Sequence, residues 1–376
     1  MQAFVNFIIQ LCRYVVGALF VISGALKGND PMGTSYKLQE YFTVFHLGFL
    51  NGLTDYLSIF FCGMEIVLGL ALLLGSFSRI TTMLLLLLII FFTWLTGYSA
   101  ITHQVTDCGC FGEVIHLTPL TSFYKDVALL VLSIILVLGR DSIAPILGIK
   151  WNSFLLVIAV LVSFSLPIWT YNHLPLMDLT AYKPGNSIKE KMTLAPGAKR
   201  DSIAIVFIVK NKTTGAVEEL TQKAYTKNFK NYEYMDRKDK VIVEGDKAEI
   251  HDFIIYDNYQ RQIQDSLLNY ANYSLWIIVN DVATADKRAF EKINKLVKAM
   301  EQNQVPVIGL THSSYSVADP FRHEVQAAFP FYYAGDDKFV KTMVRSNPGI
   351  LLLKNGVVMK KWHYRDVPDY ETAMHK

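Results

Sequence analysis

Cysteine is scarce in this sequence and unevenly placed: Cys12, Cys62, Cys108 and Cys110 are the four, and none follows position 110. A disulfide-stapled scaffold is excluded, and the chain beyond residue 110 cannot run dithiol chemistry of its own. Charge is also scarce, at 18% of residues against about 25% in ordinary soluble domains. The shortage lies at one end. Residues 1–172 hold 7 basic and 8 acidic side chains, and the remainder holds 29 and 25. The apolar content of 52% and mean hydropathy of +0.26 exclude an ordinary soluble enzyme, so the first part reads as membrane and the second as a soluble domain. Internal repeats, low-complexity runs and lipidation signals are lacking. The +4 balance of the second part is spread rather than clustered and comes with no recognition motif, which argues against nucleic acid. That mild excess suits a weak contact with an anionic membrane surface.

Long apolar runs cover residues 4–26, 57–75, 80–98, 123–138 and 151–169. Each approaches the roughly 20 residues that cross a bilayer as a helix, so five spans are expected, the fourth a little short. A signal peptide is the alternative for the first run, but Arg13 interrupts it and no small-x-small cleavage pattern follows before Lys27. Residues 99–122 contain no lysine or arginine, whereas Arg79, Arg140 and Lys150 mark two other turns. The positive-inside rule puts the N-terminus and those turns in the cytoplasm. The first long loop (28–56), the loop around Cys108 and everything after the fifth span then face outward, into the periplasm or its equivalent, where disulfides persist.

That loop is the leading candidate for chemistry. It reads Thr106-Asp107-Cys108-Gly109-Cys110-Phe111-Gly112-Glu113. Cysteines at i and i+2 can approach within disulfide range, and Gly109 tolerates the backbone angles of so tight a ring. His103 and His116 flank the pair, which leaves a zinc or copper site as a weaker alternative. Among ionisable residues of the spans, Arg13 and Glu65 lie near the middles of the first and second, and a buried Arg13–Glu65 pair is expected. A purely structural pair fits equally well. Lys125 and Asp126 open the fourth span and read as marking the membrane interface, with a lowered pKa of a nearby thiol as the alternative role of Lys125; Cys62, in the outer third of the second span, is a candidate third thiol. Buried cysteines such as Cys62 and Cys12 are more often inert.

The membrane part resembles the DoxX-like superfamily, and within it the MauE (methylamine utilisation) branch. The resemblance rests on Phe20-Val21-Ile22-Ser23-Gly24-Ala25-Leu26-Lys27 ending the first span, Glu65-Ile66-Val67-Leu68-Gly69-Leu70-Ala71-Leu72-Leu73-Leu74-Gly75 in the second, and the Asp107-Cys108-Gly109-Cys110-Phe111-Gly112 loop. It implies a four-helix membrane bundle over residues 1–140. In MauE relatives it implies a link to maturation of a disulfide-rich periplasmic enzyme subunit, and in DoxX relatives a link to quinone-linked sulfur redox chemistry. A fifth span at 150–172 and the soluble half depart from a minimal member.

Residues 173–249 read as a stalk rich in Pro, Gly, Lys and Ser followed by a small β-rich extension. Ser202-Ile203-Ala204-Ile205-Val206-Phe207-Ile208-Val209 turns at Lys212-Thr213-Thr214-Gly215 into a hairpin, and 232–250 adds short strands. From residue 250 the pattern alternates: strands at 274–280 and 305–310, helices at 286–302 and 320–328, and a final hairpin turning at Asn355-Gly356. Residues 250–376 thereby resemble a thioredoxin fold. The resemblance implies a cis Asn347–Pro348 bond beside the place where thioredoxins hold their redox cysteines, but here that place reads Asp281-Val282-Ala283-Thr284-Ala285. Partner binding at Asn347 and Pro348 is therefore expected in place of catalysis.

Two functions are expected from this sequence. In one, Cys108 and Cys110 make the chain a membrane thiol–disulfide oxidoreductase that matures extracytoplasmic proteins, with electrons passing to a quinone near Arg13 and Glu65 and the thioredoxin-like domain presenting the client. In the other, the chain is a non-catalytic assembly or scaffold factor whose soluble domain binds a partner. A transporter fits less well, because no Gly/Pro-split helix pair is evident. Membrane lipid and an unidentified extracytoplasmic protein are the expected partners.

Overall fold

The computed structural model describes residues 2–102, 104–105, 118–194, 197–198, 202–243, 245, 248–251 and 253–375. Its contacts divide into two compact units, Met1–Asn186 with Ile254–Lys376, and Ser187–Phe253.

The first unit opens with helices α1 (Gln2–Asn29), α2 (Pro31–Val44), α3 (Thr54–Leu74), α4 (Ser78–Thr102), α5 (Pro119–Leu138) and α6 (Ile149–Asn172). All but α2 are long and apolar enough to cross a membrane, α3 with the short 3-10 turn that precedes it. In hydrocarbon, helices satisfy every backbone polar group within one segment, which is why these sequences have no other ordered choice. Local residues set the ends. Asp30 caps α2, accepting from the Gly33 N–H at 2.9 Å with Pro31 at the first helical position, and Thr118 and Pro119 do the same for α5. The expected short fourth span thereby begins four residues earlier and reaches 20 residues. Gly75, at φ +70°, closes α3 in the left-handed conformation.

Glycine sets how α1 meets α3. A Cβ on Gly17 would fall 2.7 Å from the Leu73 side chain, one on Gly69 2.8 Å from the Gly17 carbonyl, and one on Gly24 2.9 Å from the Ile66 amide. Small residues thus let the two backbones touch and fix an antiparallel register. The first long loop differs from the expectation by containing α2, whose polar residues find partners on two sides and leave no apolar stripe to read.

The same unit carries a six-stranded sheet. Before it in sequence, and in the other unit, β1 (Ser202–Asn211), β2 (Val217–Thr221) and β3 (Tyr232–Val243) form an antiparallel sheet with β1 central. Two short helices, α7 (Ile188–Lys191) and α8 (Gln222–Asn228), accompany it. The expected hairpin is β1–β2; in place of several short strands, β3 is one strand pairing along the whole of β1.

The six-stranded sheet is built from β4 (Ile255–Tyr256), β5 (Tyr273–Val279), β6 (Val307–Thr311), β7 (Phe331–Ala334), β8 (Gly349–Lys354) and β9 (Val357–His363). Strands β5, β6 and β7 pair in parallel, and β8 and β9 return antiparallel. Helices α9 (Gln264–Leu268), α10 (Phe290–Gln302), α11 (Tyr315–Glu324), α12 (Asp337–Met343) and α13 (Tyr370–Met374) complete it. The 3.6-residue spacing in α10 buries Phe290, Ile293, Leu296, Val297 and Met300 against Leu275, Ile277 and Val279 of β5. Helix α11 starts ahead of Pro320 rather than at it, because buried Ala318 and Phe321 anchor it to the core and outweigh the lost backbone bond. The Asn347–Pro348 bond is cis. The first half of the expected stalk is packed: Tyr182 is buried, and Gly185 and Asn186 exchange backbone hydrogen bonds with Val358 of β9.

Candidate functional site

The α1–α3 register decides which charges meet. Gly17, Gly24 and Lys27 share a face of α1, as Glu65 and Gly69 do of α3, because side chains three, four and seven residues apart line one side of a helix. With Gly24 against Ile66, Lys27 arrives opposite Glu65, and its ammonium lies 2.6 Å from the Glu65 carboxylate. Ser23, one turn earlier, donates to the same carboxylate at 3.1 Å. Lys27 also sits 4.7 Å above the Phe92 ring of α4, a cation–π contact. The pair is sealed, with side chains 9% and 2% exposed.

The expected Arg13–Glu65 pair is not formed. Arg13 is level with the other end of α3, where it donates to the carbonyls of Leu72 (2.9 Å) and Leu73 (2.7 Å), to Ala144 and to the Gln10 side chain. The Leu72 carbonyl also accepts from the Gly75 N–H at 3.0 Å, and a cation suits the negative end of the helix dipole. The two residues looked level because apolar runs place a helix only to within a turn or two; the glycines fix the real offset. Lys27 is the residue that sequence reasoning missed. The signal was the lysine closing the quoted Ser-Gly-Ala-Leu-Lys segment.

Beside the ion pair lies a cavity of about 60 Å³ lined by Lys27, Glu65, Lys37, Thr96, Tyr41 and Phe92, with Thr34, Leu38, Phe61, Phe91 and Leu95. Four helices converge there. Thr96 of α4 donates to the buried carboxylate of Asp126 of α5 at 3.0 Å, and Lys125 closes on Asp126 from outside at 3.0 Å. Thr96 thus meets Asp126 on one side and lines the cavity on the other, across from the ion pair. Cys62 is fully buried and free, with Glu65, Lys27 and Thr34 as neighbours. Cys12 is free and buried in the bundle core. Cys108 and Cys110, and the alternative metal set they form with His103 and His116, lie outside the described residues. Among the described residues no cluster of three or more His, Cys, Asp or Glu suits a metal.

In the sheet, Asn347 and Pro348 follow a buried arginine. The Arg345 guanidinium grips both Asp30 oxygens at 2.9–3.0 Å and lies 5.6 Å from the Tyr36 ring, so the α2 end and the sheet meet there. Burial pushes the Tyr36 phenol up to about 12, and Asn280, just after β5, donates to its oxygen at 3.3 Å. Asn347 donates to the Asp281 carbonyl and the Thr284 hydroxyl, and Pro348 is buried. Its neighbour Ser346 is held by the Pro348 carbonyl and the Tyr364 amide.

Five membrane-length apolar helices, a sealed lysine–glutamate pair and an α/β domain with mixed sheets define a multi-pass membrane protein with a soluble extension. Its membrane domain is of MauE type: residues 5–139 match the family model described as "Methylamine utilisation protein MauE". The chain is also similar to "Protein TlpB" of Flavobacterium psychrophilum, 30% identical over 118 residues. That match covers 31% of this chain, and the chain spans about a third, 32%, of that relative's length. No solved structure matches the chain significantly.

Proposed function

We propose that this protein is a membrane thiol–disulfide factor acting on extracytoplasmic proteins through Cys108 and Cys110. The observation that carries the reading is the pair of buried polar contacts beside one cavity, Lys27 with Glu65 and Thr96 with Asp126, the last on α5, the helix that follows the cysteine loop. Thiol oxidation releases protons as well as electrons, and sealed carboxylates and an ammonium are the groups that hold and pass protons inside a bundle. In the exchange, a client thiolate attacks the Cys108–Cys110 disulfide and forms a mixed disulfide. The client's second thiolate then attacks its own sulfur in that bond, which leaves an oxidised client and the loop pair reduced. Two electrons and two protons must then leave the loop.

The lining would suit the ring of a quinone once the cavity widens beyond its about 60 Å³, with the Lys27 and Lys37 ammonium groups as donors to its carbonyls and Phe61, Phe91 and Phe92 as an aromatic wall. A quinone bound there would supply the sink for those two electrons and two protons. Lys27 would orient one of its oxygens, beside the Glu65 carboxylate. The N-terminus is assigned to the cytoplasm and the cysteine loop and soluble domain to the outer side. Five spans support this, since they put the N-terminus and the soluble domain on opposite faces. The soluble domain is read as thioredoxin-like, supported by its parallel β5–β6 pair, cis Asn347–Pro348 and closing antiparallel hairpin. A second reading, a non-catalytic assembly factor with a structural loop disulfide, draws on the lack of any cysteine after Cys110.

The experiment is a maleimide gel-shift of Cys108 and Cys110 in membranes, with quinone supplied and withheld, in wild type and in Cys62→Ser. A pair that cycles with quinone supply in both supports the oxidoreductase. A pair that stays locked in one state under every condition removes it and leaves the assembly factor.

A further inference from the structure

Helix α2 has two occupied faces. On one, Thr34, Lys37, Leu38 and Tyr41 close the cavity beside Lys27 and Glu65, and Thr34 neighbours the Cys62 thiol. On the other, Asp30 and Tyr36 are held by the soluble domain through Arg345, Lys341 and Asn280. This grip is buried: Asp30 is 9%, Arg345 3% and Asn280 8% exposed. It falls at the end of the sheet where Asn347 and Pro348 were expected to take a partner. Asn280 follows β5, and Arg345 stands two residues before the cis bond.

We infer that α2 is a displaceable lid: it is the resident occupant of the Arg345–Asn280 surface, and a protein segment presenting a carboxylate and an aromatic ring to that surface releases it and uncovers the membrane cavity. The chemistry of exchange favours this. Breaking a buried arginine–carboxylate pair is costly because it leaves an unpaired charge, but swapping one carboxylate for another leaves none. Asp30 and Tyr36 define what the competitor must offer. Their release withdraws Thr34 from Cys62 and Lys37 from the cavity, so partner binding at the soluble domain and access to the ion pair become one event. The inference stands whether or not the loop cysteines turn over.

Two native thiols report on it. Cys62 lies under the lid, and Cys12, 5% exposed in the bundle core, serves as the control for general loosening. The full chain in lipid nanodiscs is treated with N-ethylmaleimide and the rate of modification at each cysteine is read by peptide mass spectrometry. Arg345→Ala is expected to raise Cys62 modification at least tenfold with Cys12 unchanged, and Tyr36→Ala to raise it by a smaller factor. Should Arg345→Ala expose Cys12 as well, Tyr36→Ala decides. Cys62 protected as in wild type, or Cys62 and Cys12 rising together in Tyr36→Ala, overturns the inference.

Discussion

Helix α1 carries two buried cations, Arg13 and Lys27, and they are handled in opposite ways. Arg13 meets no carboxylate; its donors are taken up by backbone carbonyls at the end of α3 and by Gln10. Lys27 meets a carboxylate, an aromatic ring and a cavity. A guanidinium is permanently charged and forked, and matches a fixed fan of carbonyls. An ammonium beside a carboxylate can lend or take a proton, and the cavity gives that exchange a place to act. The comparison separates a staple from a site: a charge in a membrane helix becomes a functional candidate when its partner is titratable and space lies next to it.

Removing the staple should do most damage. Arg13→Leu leaves the Leu73 carbonyl without its donor and removes the charged hydrogen bonds to Leu72, Ala144 and Gln10, each worth about 1–3 kcal/mol, so the detergent-solubilised chain should lose about 3–5 kcal/mol and melt far lower. The loop cysteines of the fraction that still folds should behave as in wild type. Glu65→Gln should cost about 3 kcal/mol by leaving Lys27 buried without a countercharge. The double variant Lys27→Met with Glu65→Gln should regain most of that stability in the same melts. Arg13 has no such compensating partner, and a rescue of Arg13→Leu by a Glu65 change would erase the distinction drawn here.

The next effect is a pH dependence in the soluble domain. Burial pushes His363 down to about 4. Its folded form resists the proton that the unfolded form takes near pH 6.5, so stability is full above pH 6.5 and falls as the pH drops toward 4. The loss should reach about 2–3 kcal/mol, visible as a lower melting temperature at pH 4.5 than at pH 7. His363→Gln should flatten that dependence. The smallest effect concerns the register itself. A Cβ on Gly24 meets the Ile66 amide at 2.9 Å, so Gly24→Ala should cost about 1–2 kcal/mol by pushing α1 from α3. Gly148, with open space around it, should accept alanine without that loss.

Much of this was legible in the sequence. Five spans, the parallel β5–β6 pair with α10 between them and the closing hairpin follow from period, length and turn residues, and the cis bond before that hairpin was implied by the resemblance to a thioredoxin fold. The α1–α3 register was not, because apolar runs give a helix its length and not its offset; only close approach at Gly17, Gly24 and Gly69 does so. Arg13 was therefore matched with the wrong residue, and Lys27, at the margin of its run, was passed over. Helix α2 was hidden for another reason: Asp30, Tyr36, Thr34 and Lys37 look like a solvated loop until both of their partners are present. Strand β7, four residues long, is too short for any period to declare.

The most direct measurement is the reduction and reoxidation of Cys108 and Cys110, followed by maleimide gel-shift per folded molecule, in the Lys27→Met/Glu65→Gln double variant beside wild type. If Lys27 and Glu65 serve the site, the double variant folds and its loop pair no longer cycles with quinone supply. A loop pair that cycles at the wild-type rate without that ion pair would make Lys27 a second staple, like Arg13, and contradict the account.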